Sequence, residues 1–129
     1  MAGLMSWFGP KSKKHPQEMR VPKLRFLGEQ DGPSECELKE RLVEFFRRDR
    51  SVQAAYLARV TYGDEAEANV ALCLRTQFGP DRGLAEKVGT IFKTLFNAQV
   101  HLDIIFPSAA QQSELTQVCK PFFESTESA

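Results

Sequence analysis

Between Ser34 and Val60 the chain reads SECELKERLVEFFRRDRSVQAAYLARV, and its hydrophobic period changes from helical to alternating across a short charged run. Leu38, Leu42, Phe45 and Phe46 recur at helical spacing and form one apolar stripe. From Val52 onward the side chains alternate. Val52, Ala54, Tyr56, Ala58 and Val60 take one face, and Gln53, Ala55, Leu57, Arg59 and Thr61 take the other, which reads as mostly polar. A one-striped helix followed directly by a strand with an apolar face leaves each needing a covering layer, so this chain must fold as helix packed on sheet. Ser34 with Glu37 three residues later has the pattern of a capping box, predicting a helix that starts at Ser34, and RRDR ends it in solvent. The small alanines of the strand let a helix approach closely.

The remaining segments extend this pattern. LRFLGE, from Leu24, reads as a short strand followed by the turn residues QDGP. YGDEAEA is a hairpin loop, and NVALCLRT from Asn69 to Thr76 is the returning strand, with Val70, Leu72 and Leu74 on one face. FGPDRG leads into a second helix, with Asp81 as its N-cap and Leu84, Val88, Ile91, Phe92 and Leu95 as its stripe. VHLDIIF is a strand that Pro107 stops, and Ser108 caps a last helix with Leu115 and Val118 inward. The order predicts an α+β fold, a βαββαβα two-layer sandwich with a mainly antiparallel sheet and helices on one face. A length of 129 residues suits one domain. We place it at residues 23–124, after a flexible basic N-terminal tail over 1–22 and before a short tail over 125–129.

Charge restricts the partners. Lys+Arg and Asp+Glu are both 17, so no global field attracts nucleic acid or an anionic surface. The balance is uneven: from Met1 to Arg25 there are six basic residues against Glu18 alone, 6 − 1 = +5, leaving −5 for the rest. The head, MAGLMSWFGPKSKKHPQEMRVP, is rich in proline and has no period, so its removal is expected to leave the folded core intact. Trp7 and Phe8 ahead of the lysines give it an interfacial character. A solvated tail is the preferred reading, with a membrane or partner anchor ranked below it. No apolar run is long enough to span a bilayer, and the head lacks the charge order of a signal peptide.

The side chains that carry chemistry are scattered. Cys36, Cys73 and Cys119 cannot all pair, none lies in a C-x-x-C motif, and only His15 and His101 could join them as soft ligands. Reduced thiols are expected, with no metal and no cofactor. His101 and Asp103 share a strand face, where a carboxylate could orient an imidazole, but a solvated strand face is the preferred reading. Cys36 sits in a first helical turn whose thiolate Glu35 and Glu37 disfavour. Arg82 at a helix entry could seat an anion, yet no Walker lysine or G-x-G-x-x-G accompanies it.

The stretch LRFLGEQDGPSECELKERLVEFFRRDRSVQAAYLARV, with its V-x-x-A-Y-L strand, and the later HLDIIF and CKPFFES together resemble the C-terminal domain of the SseB family, bacterial proteins named for enhanced serine sensitivity. The resemblance runs from Leu24 to Glu124 and rests on order and spacing. Two features depart from the family: the basic head stands where an N-terminal SseB domain is usual, and Phe122-Phe123 stands where the aromatic pair ends in Tyr. The resemblance implies a cytoplasmic α+β domain without an established catalytic role, linked to serine and sulfur-transfer phenotypes. A rhodanese-type loop needs a cysteine opening a cradle of backbone N–H groups. ALCLRTQFG around Cys73 reads instead as strand interior, so that activity does not carry over.

The expected function is therefore a non-catalytic interaction or regulatory module. The partner would be a protein, a second copy of the chain included. Lys120, Phe122, Phe123, Trp7 and Phe8 form the candidate interaction surface. Of the consecutive Phe122 and Phe123, alternation predicts one packed and the other at least partly exposed, a plausible anchor; the preferred reading is that both seal the end of the core by bending the chain. The alternative is a small-molecule or anion-binding enzyme of unrecognised type, linked to serine or sulfur metabolism.

Overall fold

The computed structural model describes residues 24–63, 68–96 and 102–125. Along them run β1 (Leu24–Glu29), α1 (Pro33–Asp49), β2 (Val52–Tyr62), β3 (Asn69–Thr76), α2 (Arg82–Leu95), β4 (Asp103–Ile105), α3 (Ala109–Val118) and β5 (Phe123–Glu124). The order matches the predicted βαββαβα with one more short strand at its end. The sheet runs β1-β2-β3-β4, with β5 also paired to β2. The β1–β2, β2–β3 and β2–β5 pairings are antiparallel, and β3–β4 is parallel across the α2 connection. The fold is α+β with a mainly antiparallel sheet.

β2 organises the molecule because both of its faces are buried. On one face Val52, Ala55 and Leu57 join Val70, Leu72 and Leu74 of β3 under Leu38, Leu42 and Phe46 of α1 and Leu84, Val88 and Phe92 of α2. On the other, Ala54, Tyr56, Ala58 and Val60 join Ala71 and Cys73 beneath Leu115 and Cys119. Two helices thus share one face, as the pattern implied, while α3 lies on the opposite face and makes the sheet the middle of three layers. The face expected to be polar is exposed only at Gln53 and Arg59, Thr61 being buried; its centre, Ala55 and Leu57, carries the larger core. A strand covered on both sides loses the clean alternation that marks a half-exposed one. Ala54 and Ala58 face the Leu115 side of α3, and Ala55 faces the larger core.

A bulge explains why Val52 sits with odd-numbered neighbours. Val52 pairs with Thr76 and Ala54 with Arg75, so Gln53 is an extra residue in β2, and the side chains before it swap faces. β1 has a similar irregularity at Leu27, between the pairs Phe26–Val60 and Gly28–Arg59.

α1 starts one residue before the predicted cap. Gly32 is the N-cap, Pro33 opens the helix, and Ser34 makes no capping bond. Gly32 has φ 151°, and a Cβ there would meet Glu35 Oε1 at 2.5 Å, so only glycine lets the buried Glu35 carboxylate close over the turn. Gln30 Nε2 donates to that carboxylate at 2.7 Å. The other two predicted caps are present. Asp81 accepts from the Leu84 N–H at 3.1 Å, and Ser108 with Gln111 forms a complete capping box.

Candidate functional site

One edge of β2 is shared by two strands, and this arrangement builds the site. The carbonyls of Leu57, Ala55 and Gln53 accept in turn from the backbone N–H groups of Gln30, Phe122 and Ser125, at 3.0, 2.9 and 2.9 Å. β1 thus covers the later half of the edge, and the segment around β5 covers the earlier half. This pairing draws both Phe122 and Phe123 under α1, with ring centres 6.4 and 5.4 Å from that of Phe46. Both are half-buried and packed on the larger core, the arrangement of the preferred reading in which the pair seals the core's end. Phe122 stands just before the two-residue strand, so strict alternation does not govern the pair.

Above these rings lies an open cleft of about 1400 Å³. Phe122 and Phe123 line it, with the buried Phe46 packed against them. The first wall is the end of α1, with Arg47 in its last turn and Arg50 beyond it in the left-handed conformation at φ 67°, its N–H donating to the Phe46 carbonyl. Asp49 holds the turn into β2 by accepting from the backbone N–H and hydroxyl of Ser51. The second wall is the β3–α2 loop. Thr76 Oγ1 donates to the Gly79 carbonyl, and Asp81 caps α2. Between these two anchors Phe78 projects from the rim with 89 % of its surface exposed. A fully exposed Phe on a loop pinned at both ends has no folding role, since it buries almost nothing.

Reactive groups do not converge. Cys73 and Cys119 are buried in the second core, and burial pushes their thiols up to about 12 and about 11. Neither is a thiolate nucleophile at neutral pH. Cys36 is exposed, 3.9 Å from Asp31 Oδ1. Asp103 accepts from the Tyr62 hydroxyl at 2.7 Å, which ties β4 to β2; His101, its expected neighbour, lies outside the described residues. The helix entry beside Arg82 is filled by the Asp81 carboxylate, the arrangement of a plain helix start. Among the described residues no group of three or more His, Cys, Asp or Glu could hold a metal ion, and no helix is long and apolar enough to cross a membrane.

Of the candidate surface residues, Phe122 and Phe123 come together in the cleft lining. Lys120 is exposed outside the cleft lining, and Trp7 and Phe8 lie outside the described residues. The exposure of Phe78 was not foreseen from the sequence. Its sequence signal was an aromatic flanked by turn residues, with no apolar period to join.

Residues 27–125 match the family model described as the SseB protein C-terminal domain. Neither the curated proteins nor the solved structures compared gave a match.

Proposed function

The chain belongs to the SseB protein C-terminal domain family, and from that premise we propose that it is a non-catalytic, cytoplasmic protein-interaction module whose partner docks in the cleft at the end of the sheet. One observation carries the proposal: Phe78, 89 % exposed, lines a cleft together with the half-buried Phe122 and Phe123. An exposed aromatic beside half-buried aromatics, with polar and charged residues around them, has the composition of an interface centre. The burial of Cys73 and Cys119 supports the same reading, because acyl or sulfur transfer at either would need an accessible nucleophile.

A second reading follows from Arg47 and Arg50, which give the cleft two cations to hold a small anion. Asp49, Asp81 and Glu124 line the same cleft and oppose it. A link to serine or sulfur metabolism would then run through a bound metabolite.

Phe78→Ala separates these readings. The variant is expected to melt with the wild-type protein and to lose formaldehyde-trapped complexes in its own cells. Titration with inorganic phosphate or sulfate is expected to give no saturable heat. Trapped complexes unchanged by Phe78→Ala would contradict the docking proposal, and saturable anion binding abolished by Arg47→Ala would establish the alternative.

A further inference from the structure

We infer that residues 120–125 form a strap that opens as a unit while the rest of the fold stays closed, and that Lys39 is its latch. The strap crosses the edge of the sheet. It leaves Cys119, which is buried in the second core with its Sγ donating to the Leu57 carbonyl at 3.6 Å. By Phe122 and Phe123 the chain has passed to the other face, where both rings pack on the larger core. On the way it closes the half-edge of β2 that β1 leaves bare. The N–H groups of Phe122 and Ser125 donate there to the carbonyls of Ala55 and Gln53, both at 2.9 Å.

This hold is slighter than that of the other strands on β2. The strap is in register with β2 only at Ala54 and Ala55, whereas β3 pairs with it from Val52 to Val60 and β1 from Ala58 to Tyr62. Phe122 and Phe123 are half-buried, and Glu124 and Ser125 are exposed. Short pairing, partial burial and a solvent-facing end mark a segment that opens by itself, at a lower free energy than global unfolding.

Lys39 supplies the latch. Its ammonium lies over the Phe122 ring, 5.9 Å from the centre, and 3.2 Å from both Glu29 Oε2 and Asp31 Oδ1. One cation thus fastens the strap, the end of β1 and the turn after it to α1. The attraction of a cation to a ring face grows as water is excluded, and this side chain is only 13 % exposed.

Opening changes the cleft. Phe122, Phe123, Glu124 and Ser125 belong to its lining. Lifting them uncovers Phe46, which is otherwise 1 % exposed, and frees the Ala55 and Gln53 carbonyls along β2. The cleft then runs on into an open sheet edge, so the strap gates it between a closed and an open shape.

Native-state hydrogen exchange of the full-length chain, followed by NMR across sub-denaturing urea concentrations, tests this. After correction for intrinsic rates, the Phe122 and Ser125 amides are expected to exchange about tenfold or more faster than the central β2–β3 amides. Their rates are expected to change little with urea, because lifting six residues exposes little surface. Lys39→Met is expected to speed strap exchange about two- to fivefold. Val70→Ala lies in the larger core at the other end of the sheet, where Val70 pairs with Arg59. Its contacts persist when the strap is open, so it is expected to speed the central amides and leave the strap amides unchanged. Strap amides that follow the urea dependence of the central ones, or that Val70→Ala speeds equally, open only with the whole fold and overturn the inference. Strap rates indifferent to Lys39→Met overturn the latch.

Discussion

Lys39 joins three parts of the chain through one ammonium. Its Nζ lies 3.2 Å from Glu29 Oε2, 3.2 Å from Asp31 Oδ1 and 5.9 Å from the centre of the Phe122 ring, with 13 % of its side chain exposed. Burial pulls the amine down, but bonds from Glu29 and Asp31 outweigh it and hold its pKa above 10.5. The Gly32 N–H, and then Lys39, hold the Asp31 carboxyl below 3.8. The Asp31 contribution is therefore present above 3.8 and lost as pH falls below it, and that of Lys39 is present below 10.5 and lost as pH rises above it. Lys39→Met is expected to cost about 1 kcal/mol at neutral pH, a deficit that shrinks in denaturant titrations below pH 3.8. Leu42→Ala, at a fully buried position of the same helix, is expected to cost about 2–5 kcal/mol. The burial of Leu42 was legible from spacing alone. The role of Lys39 was not: it lies off the apolar stripe of the helix, and its partners arrive from β1, the turn after it and the far end of the chain. The thiols divide in the same way. At neutral pH only Cys36 is expected to react with a thiol reagent in the folded protein, Cys73 and Cys119 becoming reactive on unfolding. With folded values near 12 and 11 against 9.0 unfolded, both stay protonated in the fold while the unfolded chain ionises, so stability is expected to fall as pH climbs above 9.0. Rapid labelling of Cys73 in the native state would contradict this placement.

At the scale of elements, β5 is the piece the sequence least revealed. Two residues carry no period, and CKPFFES reads as an apolar tail until β2 is known to have a bare half-edge. The pairing is short but supported by rings. Phe122→Ala and Phe123→Ala are each expected to cost about 2 kcal/mol, less than a fully buried Phe because both are half-buried. Thermal melts of the two variants check this, and a variant that melts with the wild-type protein would mean its ring is not part of the core seal. The helices were far easier to read. Asp81 and Ser108 cap where predicted, because an acceptor before an apolar period has few other uses. Ser34 failed because Gly32 and Pro33, just upstream, offered an earlier start. The bulge at Gln53 was hidden for a physical reason. Alternation assigns faces only while the register is unbroken, and an inserted residue exchanges them without any mark in hydrophobicity.

At the scale of the molecule, three layers place the stable and the exposed surfaces at different ends. The sheet centre is sealed on both faces, and the cleft opens where α1 ends, β5 begins and the β3–α2 loop turns. The central claim is that this end is a docking surface and not a reaction centre. It is tested most directly by placing a photo-crosslinking aromatic residue at position 78 in the chain's own cells, with the same residue at the exposed position 114 on α3 as the control. Position 78 is expected to give a discrete protein adduct and position 114 none. Irradiation that yields no adduct from position 78, or the same adducts from both positions, would contradict it.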